Sequence, residues 1–132
     1  MNKNIFLLIG LSLLILVNVY GQGELCEESE PFCTGSIYTF PIGTTGWGQP
    51  GPDYGCLGDL PAPSWYHMLI DNPGDINIYM FSTPSRDIDF ICWGPFTGPY
   101  SPCVAGLTHN KIVDCSYSPA ATENCYIPNG QT

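Results

Sequence analysis

Beyond residue 21, the longest stretch of this chain free of both glycine and proline runs only from Leu107 to Ser118. A helix interior loses about 3 kcal/mol at each proline and about 1 kcal/mol at each glycine. Long helices therefore have almost nowhere to form. The intervals between these breakers match strands of about 5–6 residues instead, so the sequence predicts an all-β fold.

Residue patterning within the intervals agrees. Ser36–Phe40 and Trp65–Ile70 are runs of aromatic and β-branched residues, the composition enriched in strands. The second run ends at Asp71-Asn72-Pro73-Gly74, where proline presets φ and glycine is free to take positive φ, so a tight turn is expected. After it, Ile76, Ile78 and Met80 alternate with Asn77, Tyr79 and Phe81, the period of two that marks a half-buried strand. Arg86 to Trp93 alternates likewise, with Ile88, Phe90 and Cys92 on one face and Asp87, Asp89, Ile91 and Trp93 on the other. Lys111–Tyr117 and Asn124–Ile127 are weaker strand candidates. Between Trp47 and Pro63 glycine and proline crowd together, and the expectation there is an ordered loop pinned by Tyr54 and Cys56. Short strands separated by turns suggest a sandwich or barrel.

The N-terminus reads differently. Lys3 is followed by a run from Ile5 to Val17 that is apolar except for Gly10 and Ser12, the layout of a secretory signal peptide with cleavage expected after Gly21. The run is shorter than the ~20 residues that a membrane-spanning helix needs, and no basic stop-transfer cluster follows. Leu25 before Cys26 argues against a lipoprotein. Residues 22–132 are then expected as one secreted or surface-displayed domain without a membrane span. With only Lys3, Arg86 and Lys111 basic and a formal net charge of −9, the chain cannot neutralise phosphates, which excludes nucleic-acid binding.

All seven cysteines lie beyond the leader, at 26, 33, 56, 92, 103, 115 and 125. In an oxidising compartment disulfides are their default state. Joined to their neighbours they give Cys26–Cys33, Cys92–Cys103 and Cys115–Cys125, with Cys56 left unpaired, although sequence alone leaves other connectivities open.

Several longer runs are more specific. Tyr54-Gly55-Cys56-Leu57, Pro63-Ser64-Trp65-Tyr66, Asn72 to Ser82, Arg86 to Phe96 and Ile112 to Ser118 together resemble a module of large secreted surface proteins of gliding-type bacteria, proteins that often carry gliding-motility-associated C-terminal sorting domains. The aspartate-rich strand before Trp93-Gly94-Pro95 is similar to that of CUB-like and pre-peptidase C-terminal jelly rolls. The resemblance implies a β-sandwich, jelly-roll-like module for adhesion or accessory work, beside other domains of a larger surface protein or against an extracellular protein or glycan. In that family the segment like Ile127–Thr132 leads into a further strand and another cysteine. A fragment lacking its last strands, or one accepting a strand in trans, is therefore expected, with Cys56 pairing beyond Thr132.

Candidate sites carry competing readings. The chain has no Gly-x-Ser-x-Gly, no His-Glu-x-x-His, no phosphate-binding glycine loop ending in Lys-Ser/Thr and no helix-loop-helix Ca²⁺ loop, so a non-catalytic role is expected, and neither His67 nor His109 is given one. Asp71, Asp75, Asp87 and Asp89 are the candidate ligands for Ca²⁺ as a cofactor, since that ion takes 6–8 oxygen ligands. The alternative is a solvated acidic face with Arg86 as counter-charge. Trp65 and Trp93 are expected in the core, whereas Trp47 and Tyr100, in loops, are the candidate contacts for a sugar ring.

Overall fold

The computed structural model describes residues 23–33, 35, 37–40, 46–60 and 62–131. The expected leader, residues 1–21, lies outside the described residues, as does Ser36 of the expected first strand.

Among the described residues the chain is built of strands, with helix limited to the three-residue 3₁₀ turns Cys26–Glu28 and His109–Lys111. The strands are β1 (Glu30–Phe32), β2 (Tyr66–Met68), β3 (Ile76–Phe81), β4 (Phe90–Trp93), β5 (Ile112–Ser116) and β6 (Thr122–Ile127). They form three two-stranded sheets. β1 and β2 pair in parallel, β3 and β6 pair antiparallel from Ile76 opposite Ile127 to Phe81 opposite Thr122, and β4 and β5 pair antiparallel from Phe90 opposite Ser116. β5 also packs against β6, which brings the two antiparallel pairs together.

The alternation of β3 appears as predicted: Ile76, Ile78 and Met80 are half-buried while Asn77, Tyr79 and Phe81 face solvent. Two other predicted strands differ. Ile37–Phe40 forms no strand; Tyr38 and Phe40 stack with their rings 5.8 Å apart, and Phe40 packs on Tyr66 at 3.9 Å. Ring packing thus takes the place of a backbone ladder. The run predicted from Arg86 enters β4 only at Phe90, because the chain first closes a turn: Arg86 N–H donates to Ser82 Oγ at 2.6 Å. Ile88 N–H then bonds to Ala120 O at 2.9 Å and Asp89 accepts from Ser118 N–H at 3.2 Å. These contacts guide the strand into register with β5. The ladder shifts between Cys92 and Trp93, where Cys92 faces Asp114 but Trp93 faces Ile112, leaving Val113 as the extra residue. Such a bulge bends its strand and re-aims the neighbouring side chains.

A small core lies beside that shift. Trp65 and Trp93 stack with centroids 5.5 Å apart and planes 12° from parallel, Tyr54 meets Trp93 edge-on at 5.9 Å, and Leu107, Phe96 and the Cys26–Cys103 pair complete the cluster. Both tryptophans sit where the sequence placed them. Asp53 joins the surrounding loops to this core: its N–H donates to Leu107 O at 2.8 Å, its carbonyl accepts from Trp93 Nε1 at 3.1 Å, and its carboxylate accepts from Gly55 N–H at 2.9 Å.

The cysteine pairing departs from the neighbour scheme. Disulfides join Cys26 to Cys103 and Cys56 to Cys115, 77 and 59 residues apart in sequence, while Cys33, Cys92 and Cys125 are free thiols. Spatial proximity decides the pairing, and the strands set it. Extended β1 advances about 3.3 Å per residue, carrying Cys33 away from Cys26 to an exposed position. Cys26 instead stays beside Trp65, whose N–H bonds to Gly23 O at 2.7 Å, and meets Cys103 in the core. Cys115 and Cys125 belong to strands of different sheets, opposite Ile91 and Ile78 respectively. Cys56 has a partner within the chain, and with Tyr54, whose hydroxyl donates to Gln49 O at 2.9 Å, it pins the loop as predicted.

Candidate functional site

Alternation along β3 and β6 generates the most distinctive surface of the molecule. Because successive strand side chains point to opposite faces, burying Ile76, Ile78, Met80, Cys125 and Ile127 obliges their neighbours to turn outward. The outward set is Asn77, Tyr79 and Phe81 from β3 and Thr122, Asn124 and Tyr126 from β6, all exposed. Register places Asn77 opposite Tyr126, Tyr79 opposite Asn124 and Phe81 opposite Thr122. Each aromatic ring therefore stands across the ladder from an amide or hydroxyl side chain. Tyr79 and Phe81, 61% and 60% exposed, stack on each other with centroids 6.1 Å apart. One end of the face is fastened by Asp75, which accepts from Asn129 N–H at 2.8 Å and from the Tyr126 hydroxyl.

An aromatic row interleaved with amides can cover the apolar face of a ring-shaped ligand while hydrogen-bonding its edge. The alternation was visible in the sequence, but not that the outward aromatic side would stay uncovered. That depended on which strand paired with β3.

The loop aromatics proposed from sequence stand apart from this row in the chain. Trp47 is 75% exposed. Tyr100 is 51% exposed and meets His67 edge-on at 5.6 Å. His67 also bonds to Ser29, Nδ1 to Oγ at 3.0 Å. This serine–histidine contact was missed by sequence reasoning, since its members lie 38 residues apart. Ser29 is buried, however, and a substrate could not reach its hydroxyl. The contact holds β1's entry against β2.

The four candidate Ca²⁺ ligands fall in two places. Asp71 and Asp75 line an open hollow of about 680 Å³ together with Asn72 and Asn77. Asp87 and Asp89 neighbour each other ahead of β4, where partial burial, then the charge of Asp87, holds the Asp89 carboxyl above its ordinary value against the Ser118 N–H that lowers it. Among the described residues no three His, Cys, Asp or Glu side chains gather in a way that could hold a metal ion. Asp75 and Asp89 each accept a backbone N–H at Oδ1.

A second hollow, about 480 Å³, lies between Pro95–Thr97 and Ser101–Lys111. The Lys111 ammonium bonds to Pro95 O at 3.2 Å and stands 5.6 Å over the Phe96 ring. Its one cation is thus already engaged.

No protein-family model matches the sequence, and no curated protein or solved structure matches it. Among the described residues no helix is long and apolar enough to cross a membrane. The two disulfides are the chemistry of an oxidising, extracytoplasmic compartment.

Proposed function

We propose that this chain is a non-catalytic, exported module of β-sandwich type that works at the cell surface in adhesion or as an accessory domain. The observation that carries this reading is the pair of long-range disulfides, one joining two turns in the core and the other a loop to β5, in a β-rich chain whose core is one small cluster. Small exported domains with modest cores use such bridges for stability. Contact between β5 and β6 supports the sandwich, since it brings the two antiparallel pairs together. The resemblance to surface modules of gliding-type bacteria adds the setting. Expression of the full chain in a bacterial host with an outer membrane tests export: the product is expected outside the cytoplasm, beginning at Gln22. Uncleaved chain retained in the cytoplasm with reduced thiols would overturn it.

Carbohydrate recognition is the more specific form of this role, favoured by the outward row of Tyr79, Phe81 and Tyr126 with its facing amides. Binding on a glycan array is expected to be lost in Tyr79→Ala/Phe81→Ala. Loss in Trp47→Ala or Tyr100→Ala, with the β3 double variant still binding, would move the site to the loops. Absence of any glycan signal would leave a protein-contacting module.

A further inference from the structure

Three cysteines remain as thiols, and two of them meet. Cys92 lies on β4 opposite Asp114 of β5. Asp114 in turn reaches β6, its Oδ2 accepting from Tyr126 N–H at 2.7 Å, so β4, β5 and β6 converge around this carboxylate. Cys125 precedes Tyr126 on β6 and is only 3% exposed. Through Asp114, Cys92 on β4 and Cys125 on β6 are brought to the same junction, close enough for each thiol to perturb the other. Cys33, by contrast, is exposed at the end of β1.

From this juxtaposition of β4 and β6 we propose that Cys92 and Cys125 form a third disulfide in the exported protein, with Cys33 as the only thiol left. The bridge would join the β4–β5 sheet to the β3–β6 sheet covalently, which neither existing disulfide does.

The chemistry is thiol–disulfide exchange with a disulfide oxidant, either a thiol oxidoreductase in its disulfide form or a small-molecule disulfide. Cys92 is the half-buried and thus more accessible member, and the neighbouring Cys125 thiol lowers its pKa, while Cys92 raises that of Cys125. The Cys92 thiolate attacks one sulfur of the oxidant, forming a mixed disulfide and releasing one oxidant thiolate. Cys125 then gives up its proton and attacks Cys92 Sγ, expelling the second oxidant thiolate. Two protein thiols lose two electrons and two protons, and the oxidant disulfide becomes two thiols.

The test is thiol counting on full chain recovered from an oxidising compartment, unfolded in guanidinium without reductant and alkylated with iodoacetamide. Intact mass is expected to show one adduct, on Cys33, rising to seven after reduction. A non-reduced peptide map is expected to contain a Cys92–Cys125 linked pair. Cys92→Ser is expected to show two adducts, on Cys33 and Cys125, with the other two bridges intact, and the wild-type map stands on its own if that variant does not accumulate. Three adducts on the wild-type chain, or Cys92 linked to any other cysteine, would overturn the proposal.

Discussion

At Gly55 the backbone takes φ +56°, inside a loop whose turn is fixed by the bond from Gly55 N–H to the Asp53 carboxylate. A Cβ there would stand 2.8 Å from Ile112 Cδ1 and 3.0 Å from Ile91 Cδ1, beside the Cys56–Cys115 bridge. Both neighbours are flexible side-chain ends and can give way, so the main penalty of Gly55→Ala is the left-handed backbone, about 1–2 kcal/mol. Urea unfolding is expected to show that loss with an unchanged denaturant slope. Asp89 gives a prediction of opposite sign. Its carboxyl is held above the ordinary 3.8, chiefly by burial and then by Asp87, so the folded state disfavours its charged form, a penalty that grows as pH rises past 3.8 and is complete above the raised value. Asp89→Asn removes that penalty and keeps an acceptor for Ser118 N–H. A slightly higher melting temperature than wild type is expected at pH 7, with the difference gone well below pH 3.8, where both the folded and unfolded carboxyl are protonated. A melting temperature lowered at pH 7 would mean that the Ser118 bond outweighs burial.

Among elements, β3 was the most legible because its period of two decides which side chains are buried whatever strand pairs with it. What the period leaves open is the partner. Nothing in Ile76–Phe81 specifies Thr122–Ile127, and the row gains Tyr126 and its facing amide and hydroxyl groups only because β6 contributes Thr122, Asn124 and Tyr126 to the same face. Ile37–Phe40 shows the reverse case. Its composition favours a strand, but Tyr38, Phe40 and Tyr66 pack ring against ring at the surface and leave it outside any ladder. For the two faces of β3, opposite responses are expected. Tyr79→Ser/Phe81→Ser removes side chains that already face solvent and is expected to move the melting temperature by only a few degrees. Ile78→Ala deletes inward methyl groups at the β6 contact and is expected to cost about 2 kcal/mol in urea unfolding, the low end for a site that is only half-buried. Equal losses from both would show that the outward face is covered in the folded protein.

For the whole molecule, seven cysteines in a chain with a leader-like N-terminus point to an oxidising compartment, but not to a pairing. Sequence proximity favoured short loops. The strands instead separate near neighbours and bring together residues 77 and 59 positions apart. Long loops make these bridges energetically important, because closing loops of that size restricts the unfolded chain by about 4 kcal/mol each on the chain-entropy account. Each is a large share of the ~5–15 kcal/mol by which small domains are stable. The two differ in surroundings, and this separates their effects. Cys26 and Cys103 are both buried against Trp65 and Leu107, whereas Cys56 is exposed. Loss of the first bridge therefore removes core packing as well as the chain constraint, and loss of the second removes mainly the constraint. Cys26→Ser/Cys103→Ser is expected to abolish cooperative thermal unfolding, and Cys56→Ser/Cys115→Ser to retain a cooperative transition at a lower temperature. Differential scanning calorimetry distinguishes the two, and the reverse order would move the centre of stability from the tryptophan cluster to the loop pinned at Cys56.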